Sequence, residues 1–315
     1  MHIVEYDREM RQEFMTALAA LAERDGRIVL LDADLASSSG AAIFRKAHPE
    51  RFFNCGIQES NMVGVAAGLS AGGFVPVVHS FAAFASRRTA DQIFMSCAYA
   101  GQDVRIVGSD PGVAGSANGG THMALEDIAI LRSIPGIVIV DASDPEMLKQ
   151  ALAQSFDKPA VYYFRLTRKT KSRLYPAENA YTLGKAHMAC DDGRDATIVS
   201  AGFTCMVEAL KAAELLAGQG IRIRVLDMFT INPLDEEAVL TAARETGAVV
   251  TLDNHSVNGG LGTMVAEVLA GRVCVPFARL GARTFGEVGT QEYILKKFGM
   301  DAETVAETVK KLLGR

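Results

Sequence analysis

Short apolar runs alternate with helix-period stretches along nearly the whole chain, and this alternation restricts the possible folds more than any other feature. In the first half, runs typical of buried strands occur at 28–32, 75–79, 104–108, 137–141 and 161–166. Helical stretches near 59–71, 82–97, 124–132 and 145–156 separate them, after an opening helix that begins near Met10. Strands that alternate with helices in this way predict a mainly parallel sheet covered by helices.

The second half of the chain shows the same alternation. Strands are predicted at 196–200, 221–227, 249–253 and 273–280, and helices near 206–218, 235–246 and 262–270. Between the halves the apolar periodicity is lost, and charged residues are concentrated. The sequence therefore predicts an α/β protein with two domains, residues 1–170 and 183–315, joined by a linker at 171–182.

Composition places the chain among ordinary globular proteins. Its 315 residues are 49% apolar and 22% charged, and the net charge of −5 provides no general attraction for nucleic acid or anionic lipid. Five scattered cysteines lack metal-site spacing and are interpreted as reduced structural thiols, and no metal ligands are expected in this chain. A charged N-terminus, and no apolar run of the ~18–20 residues that cross a membrane, predict a cytoplasmic protein without a membrane partner.

Polar residues and glycines cluster in three segments, 54–60, 79–84 and 115–122. Each lies at a predicted strand end or helix start, where open α/β sheets bind ligands. Taken singly, the residues have ordinary explanations: Glu59 suits the first turn of a helix, and Phe81 and Phe84 suit a core. His122 follows two glycines, where an exposed imidazole can face a substrate. The combination is more informative than its members.

The segments FFNCGIQESNMVGVAAGLSAGGFVPVVHSFAAFASRRTADQIF and GSANGGTHMALEDIAILRSIPGIVIVDASDP resemble the pyrimidine-binding domain of transketolases. VSAGFTCMVEALKAAELLAGQGIRIRVLDMFTINPLD, with TLDNHSVNGGLG, is similar to the C-terminal domain of the same thiamine-diphosphate-dependent family. The resemblance covers nearly the whole chain. It implies an enzyme that transfers a two-carbon ketol unit from a ketose, expected to be phosphorylated, to an aldose.

The resemblance also implies roles for individual residues. Glu59, in the GIxE position with Ile57, corresponds to the acid that hydrogen-bonds the pyrimidine ring of thiamine diphosphate and so activates the cofactor. Phe84 and Phe81 correspond to the aromatic pocket around that ring. His122 corresponds to the histidine beside the reacting carbon, which helps to move protons at substrate oxygens.

Five further residues are implied to bind substrate, and two of them depart from the family pattern. Ser38, Arg168 and the weaker match Arg11 correspond to residues that contact phosphate. Asn118 stands where transketolases usually carry an aspartate, and Asp110 stands where they commonly carry a phosphate-contacting histidine. A carboxylate there repels phosphate unless it turns away, so the substrate class stays open.

The family normally holds the cofactor's diphosphate through Mg²⁺ or Ca²⁺, bound by a GDG motif that this chain does not contain. The resemblance therefore implies a separate N-terminal transketolase subunit that carries the diphosphate and metal site, in an α2β2 assembly. A small-residue face on the helix predicted at 59–71 is a candidate contact with this partner, and packing within the domain is the alternative. Its members are Gly64, Ala67, Gly68 and Ala71.

Other functions remain open at this stage. The β subunit of a 2-oxo-acid dehydrogenase also pairs with an α subunit, but GGTHMALED is the transketolase-like form. A deoxyxylulose-phosphate-synthase-like enzyme is normally one continuous chain. A non-catalytic regulatory subunit needs none of Glu59, Phe84 and His122. His79 is interpreted as structural, and His255 as part of a structural turn because no complete GxGxxG follows it.

Overall fold

The computed structural model describes residues 3–315 as helices packed on β-sheets. The strands are β1 (Val4–Glu5), β2 (Ile28–Asp32), β3 (Phe52–Asn54), β4 (Val75–Phe81), β5 (Val104–Ser109), β6 (Val138–Asp141), β7 (Val161–Leu166), β8 (Ser172–Arg173), β9 (His187–Asp191), β10 (Ala196–Ser200), β11 (Ile223–Asp227), β12 (Thr230–Asn232), β13 (Val249–Ser256) and β14 (Phe277–Ala282). The α-helices are α1 (Met10–Arg24), α2 (Ala36–Ser39), α3 (Ala42–Ala47), α4 (Glu59–Ala71), α5 (Ala82–Arg87), α6 (Ala90–Gln92), α7 (Asp127–Arg132), α8 (Pro145–Gln154), α9 (Gly202–Ala217), α10 (Glu236–Glu245), α11 (Leu261–Leu269), α12 (Gln291–Lys297) and α13 (Ala302–Leu312).

Two helix-covered sheets dominate the described residues. The larger sheet has the strand order β12-β6-β7-β5-β4-β2-β3 and is parallel except for β12, and the smaller has the order β14-β13-β10-β11-β9 and is parallel except for β9. Helices α1 and α8 pack on one face of the larger sheet, and α4 and α7 pack on the other. Its central strands are buried on both faces, which explains their continuous apolar runs. The predicted fold class is confirmed.

The helix predicted at 82–97 is wrong as a single element. The chain leaves the helix at Arg88 and Thr89, and Ile93–Ala98 form a π-helical segment. The hydroxyl groups of Ser86 and Thr89 donate to the carbonyls four residues earlier, each at 2.6 Å. Such side-chain bonds compete with the helical ladder and bend it.

The two halves are more closely joined than a simple linker suggests. Strand β8, inside the predicted linker, pairs with β1, and Tyr175 and Tyr181 are buried. Strand β12 of the second half adds to the edge of the larger sheet beside β6. The domain bounds remain a prediction, but the segment between them is packed.

The parallel strands of the larger sheet bring several chain segments to one edge. The carboxyl ends of β2, β4, β5 and β7 lead into the segments that carry Ser38, Phe84, Asp110 and Arg168. Ligands bind at this edge in open α/β sheets. Within residues 3–315, no helix is long and apolar enough to cross a membrane.

Candidate cofactor and substrate site

Glu59 begins α4 and is 4% exposed. Its carboxylate accepts a hydrogen bond from the Ser80 hydroxyl at 3.2 Å and is paired with the Arg88 guanidinium at 3.1 Å. The N-terminus of α4 stabilises the negative charge through the helix dipole. A buried acid therefore lies at the carboxyl ends of the strands, where the sequence predicts cofactor binding.

Three rings predicted to line the site are in contact. The Phe84 and His122 ring centroids are 5.1 Å apart, and Phe81 lies 6.2 Å from Phe84 and 6.1 Å from His122, all edge to face. His122 is half-buried, and a ring nitrogen lies 3.0 Å from the Thr121 hydroxyl. The structure therefore brings together Phe81, Phe84 and His122, and Arg88 connects Phe84 to the acid.

Arg88 is the residue of this site that sequence reasoning missed. Its guanidinium carbon lies 4.0 Å from the centroid of the Phe84 ring while the group donates to Glu59. The preceding residue, Arg87, pairs instead with Glu126 at 2.8 Å. The adjacent arginines were visible in the sequence, but which one faces Glu59 depends on the helix break at Arg88.

The predicted substrate residues Asp110 and Arg168 form an ion pair at 2.7 Å. The Arg168 guanidinium also lies 5.2 Å from the Phe81 ring, which connects this pair to the aromatic cluster. Burial raises the pKa of Asp110, and Arg168 opposes that shift. The Asp110 carboxylate therefore points toward Arg168, which balances its charge.

Arg11 and Ser38 lie beside this pair. Arg11 donates to the Ser38 main-chain carbonyl at 2.5 Å and pairs with Glu9, and Arg168 contacts the same carbonyl at 3.4 Å. A cavity of about 500 Å³ opens here. It is lined from the first half by Asp110, Asn118 and Arg168, and from the second half by Thr290 and Gln291.

One side of the site is open. Ile57 is 73% exposed, and a Cβ added at Gly64 or Gly68 meets nothing within 4 Å. Ala67 is 7% exposed and packs in the core. The packing alternative therefore applies to Ala67, while the glycines of α4 leave their face uncovered.

The two histidines interpreted as structural are both buried. His79 lies between Asp32, at 3.3 Å, and Ser109, at 3.1 Å. A ring nitrogen of His255 accepts from the Ala129 amide at 3.3 Å. In the part of the chain that the structure describes, no three His, Cys, Asp or Glu side chains cluster as a metal site.

Comparison with known proteins identifies the family of this chain. The pyrimidine-binding domain of transketolase matches residues 7–172, and the transketolase C-terminal domain matches residues 184–305. The 6-deoxy-6-sulfo-D-fructose transketolase subunit of Clostridium sp. strain MSTE9 is 45% identical, over 97% of this chain and 95% of its own. Human transketolase is 35% identical over 96% of this chain, which spans 49% of the human protein.

A solved structure gives the same result. A split-gene transketolase, described as an inactive beta4 tetramer, superposes with a TM-score of 0.89 and 36% identity, covering 97% of this chain and 98% of that one. The chain therefore belongs to the transketolase family, whose enzymes use thiamine diphosphate. Within that family it corresponds to the section that carries the pyrimidine-binding and C-terminal domains, as in the subunits of split transketolases.

Proposed function

We propose that this chain supplies the pyrimidine and substrate half of a transketolase that moves a two-carbon ketol unit between sugars. The observation that carries the proposal is the convergence of Glu59, Phe84 and His122 at one sheet edge, with an arginine-containing cavity beside them. A scaffolding subunit needs none of these contacts. Function is inferred from this site and not from the fold alone.

The residues fit the proposed cofactor. Glu59 is buried, and Arg88 contacts both Glu59 and the Phe84 ring. With the cofactor bound in place of Arg88, Glu59 would hold a proton against the pyrimidine nitrogen, and Phe84 would provide a flat apolar surface for the ring. When bound, thiamine diphosphate supplies the carbanion that carries the two-carbon unit. His122, in contact with Phe84 and half-buried, accepts and returns protons at substrate oxygens.

We further propose that activity requires an N-terminal subunit that holds the diphosphate and Mg²⁺ or Ca²⁺, in an α2β2 assembly. The uncovered face of α4 supports this, because it lies beside Glu59 and presents glycines that permit close backbone approach. The relatives also support it: one is named as a subunit, and the split-gene protein solved as a beta4 tetramer is described as inactive.

The Asp110–Arg168 pair supports a proposal about the donor's distal group. Because Asp110 balances much of the Arg168 charge, the site favours a singly charged sulfonate over a doubly charged phosphate. The 45% identical relative is named for a sulfonated ketose. We therefore propose a sulfonated or phosphorylated ketose as donor, with sulfonate preferred.

The complex should be assayed with a ketose labelled with ¹³C at C1 and C2 and an unlabelled aldose. The proposal predicts label in a ketose two carbons longer than the acceptor, and no turnover of pyruvate-type acids. Turnover of 2-oxo acids without ketol transfer would instead support the dehydrogenase alternative.

Replacing Asp110 by His should raise kcat/KM for a phosphorylated substrate by about 10-fold, because removing one charged contact changes affinity by this order. Asp110→Asn should act in the same direction. Kinetics with an uncharged sugar of equal length should stay unchanged in both variants. Arg168→Ala should impair every anionic substrate. Unchanged kinetics in all three variants would place the anion site elsewhere.

Replacing Arg88 by Ala should tighten thiamine diphosphate binding to the assembled complex. Arg88 stacks on Phe84 and binds Glu59, so the pyrimidine ring must displace it. The pair is partly exposed, so we expect a decrease in Kd of about 5-fold, measured by isothermal titration calorimetry. Arg87→Ala is the matched control, because Arg87 pairs with Glu126. Weaker binding in Arg88→Ala would contradict this role.

A further inference from the structure

The segment 110–123 carries Asp110, Asn118 and His122, and its first residues are held by a side chain from the other half of the protein. Asn254, near the end of β13, accepts a hydrogen bond from the Val113 amide at 2.8 Å. Its side-chain amide donates to the Pro111 carbonyl at 3.0 Å. Asn254 is 3% exposed, so water does not replace these partners in the folded protein.

The local backbone is shaped around Asn254. Gly112, between Pro111 and Val113, has φ of +53°, and a Cβ added there would collide with the Asn254 side chain. The Asn254 main-chain carbonyl accepts from the buried Arg165 guanidinium at 2.8 Å. Arg165 therefore fixes the main chain of Asn254, while the Asn254 side chain holds segment 110–123.

A second contact lies further along the same segment. The Gly289 amide donates to the Ser116 carbonyl at 3.2 Å, and a Cβ added at Gly120 would collide with the Gly286 carbonyl. These contacts use main-chain groups, which a side-chain substitution leaves in place. Asn254 is therefore the side chain through which the second half's hold on the segment can be tested.

We propose that Asn254 is a positioning residue for the reaction, which sets the distance from Asp110, Asn118 and His122 to the substrate. This proposal rests on the proposed ketol transfer. Segment 110–123 has a short 3₁₀ helix at Gly112–Asn118 and no strand, so its side chains are placed by such external contacts. Without Asn254, the Val113 amide loses its partner and the Pro111 carbonyl keeps only the Ala114 amide, at 3.2 Å. The segment therefore relaxes toward other partners or water.

The test uses Asn254→Ala in the assembled complex. We expect kcat/KM for the sugar substrates to fall about 10–100-fold, since small displacements of substrate-positioning groups have effects of this size. The thiamine diphosphate Kd should change by less than about 2-fold, because Glu59 and Phe84 lie on α4 and α5, outside segment 110–123. Glu267→Gln breaks a different contact between the halves, the Arg132–Glu267 ion pair, and should behave like wild type.

Asn254→Asp gives a readout that a merely structural role does not produce. A protonated carboxyl offers the same donor and acceptor as the amide, whereas the ionised form loses the donor to the Pro111 carbonyl. Activity relative to wild type should therefore rise as the pH is lowered from 8 to 6. A pH-independent ratio, or equal losses of substrate efficiency and cofactor affinity in Asn254→Ala, would overturn the proposal.

Hydrogen exchange separates this proposal from the proposed function. Amides in 110–123 should exchange faster in Asn254→Ala than in wild type, while amides of α4 keep their rates, whether or not the complex transfers ketol units. Unchanged exchange in 110–123 would overturn the positioning role. The wild-type complex could fail to transfer ketol units while exchange is still faster in the variant. That result would overturn the proposed reaction but leave the role of Asn254 in holding segment 110–123.

Discussion

Glu59→Gln should lower the turnover of the assembled complex by about 10³-fold, within the range that acid–base groups contribute. Glutamine keeps the size of the side chain and an acceptor for the Ser80 hydroxyl, which lies 3.2 Å from the carboxylate. It cannot supply a proton to the pyrimidine ring. Initial rates and size-exclusion profiles should be measured on the same preparations, because the variant is expected to assemble normally.

Glu146→Gln is the matched control for this variant. Glu146 is also an acid in the first turn of a helix, α8, and it pairs with Lys149 at 2.6 Å. If Glu59 served only the helix dipole, both substitutions would cost about 0.3–1 kcal/mol of stability and neither would affect turnover. Near-normal rates in the assembled Glu59→Gln complex would contradict the assigned role.

Arg165→Met should produce the largest loss of stability. Arg165 is 1% exposed, donates to Asp127 at 2.9 Å and is paired with Asp141. Burial raises the pKa of Asp141 to about 6 even with the arginine present. Methionine leaves both carboxylates buried without the arginine's compensating charge, although Asp127 still accepts from the Tyr163 hydroxyl at 2.8 Å. Breaking a buried ion pair in this way costs about 3–5 kcal/mol. Urea denaturation of the isolated chain would measure the loss.

The loss of stability in Arg165→Met should also depend on pH. Without Arg165 the folded-state pKa of Asp141 rises further above the unfolded value, because the arginine no longer opposes the effect of burial. Stability therefore falls as pH rises through that folded pKa. The deficit should therefore be larger at pH 8 than at pH 5. Arg132→Met, which removes the partly exposed pair with Glu267, should cost at most about 1 kcal/mol. If Arg165→Met lost only about 1 kcal/mol of stability, with no dependence on pH, the result would contradict the account.

The elements that sequence reasoning located best are those whose signal is local. Helix α4 and strands β7 and β10 have the predicted bounds, because each is an uninterrupted periodic or apolar run. Strands β9 and β12 were missed, since both are antiparallel edge strands that are short or half-exposed. The start predicted for β14 was early, because residues 273–276 do not join the sheet.

The site residues could likewise be predicted where their signal is local, and not where they depend on contacts between distant parts of the chain. Glu59, Phe84 and His122 could be predicted because their motifs are contiguous. Asn254 could not, since it contacts Val113 from 141 residues away. The sequence also identified Asp110 as unusual, and its effect on phosphate remains a prediction. Its pairing with Arg168 could not be predicted, because that contact depends on two strand ends meeting at one edge.

The most direct test of the account is reconstitution from separately purified chains. This chain, the N-terminal transketolase subunit and their mixture should each be assayed for ketol transfer with thiamine diphosphate and Mg²⁺. The account predicts activity and tight cofactor binding in the mixture, and neither in the separate chains. Ketol transfer by this chain alone, at the rate of the mixture, would contradict it.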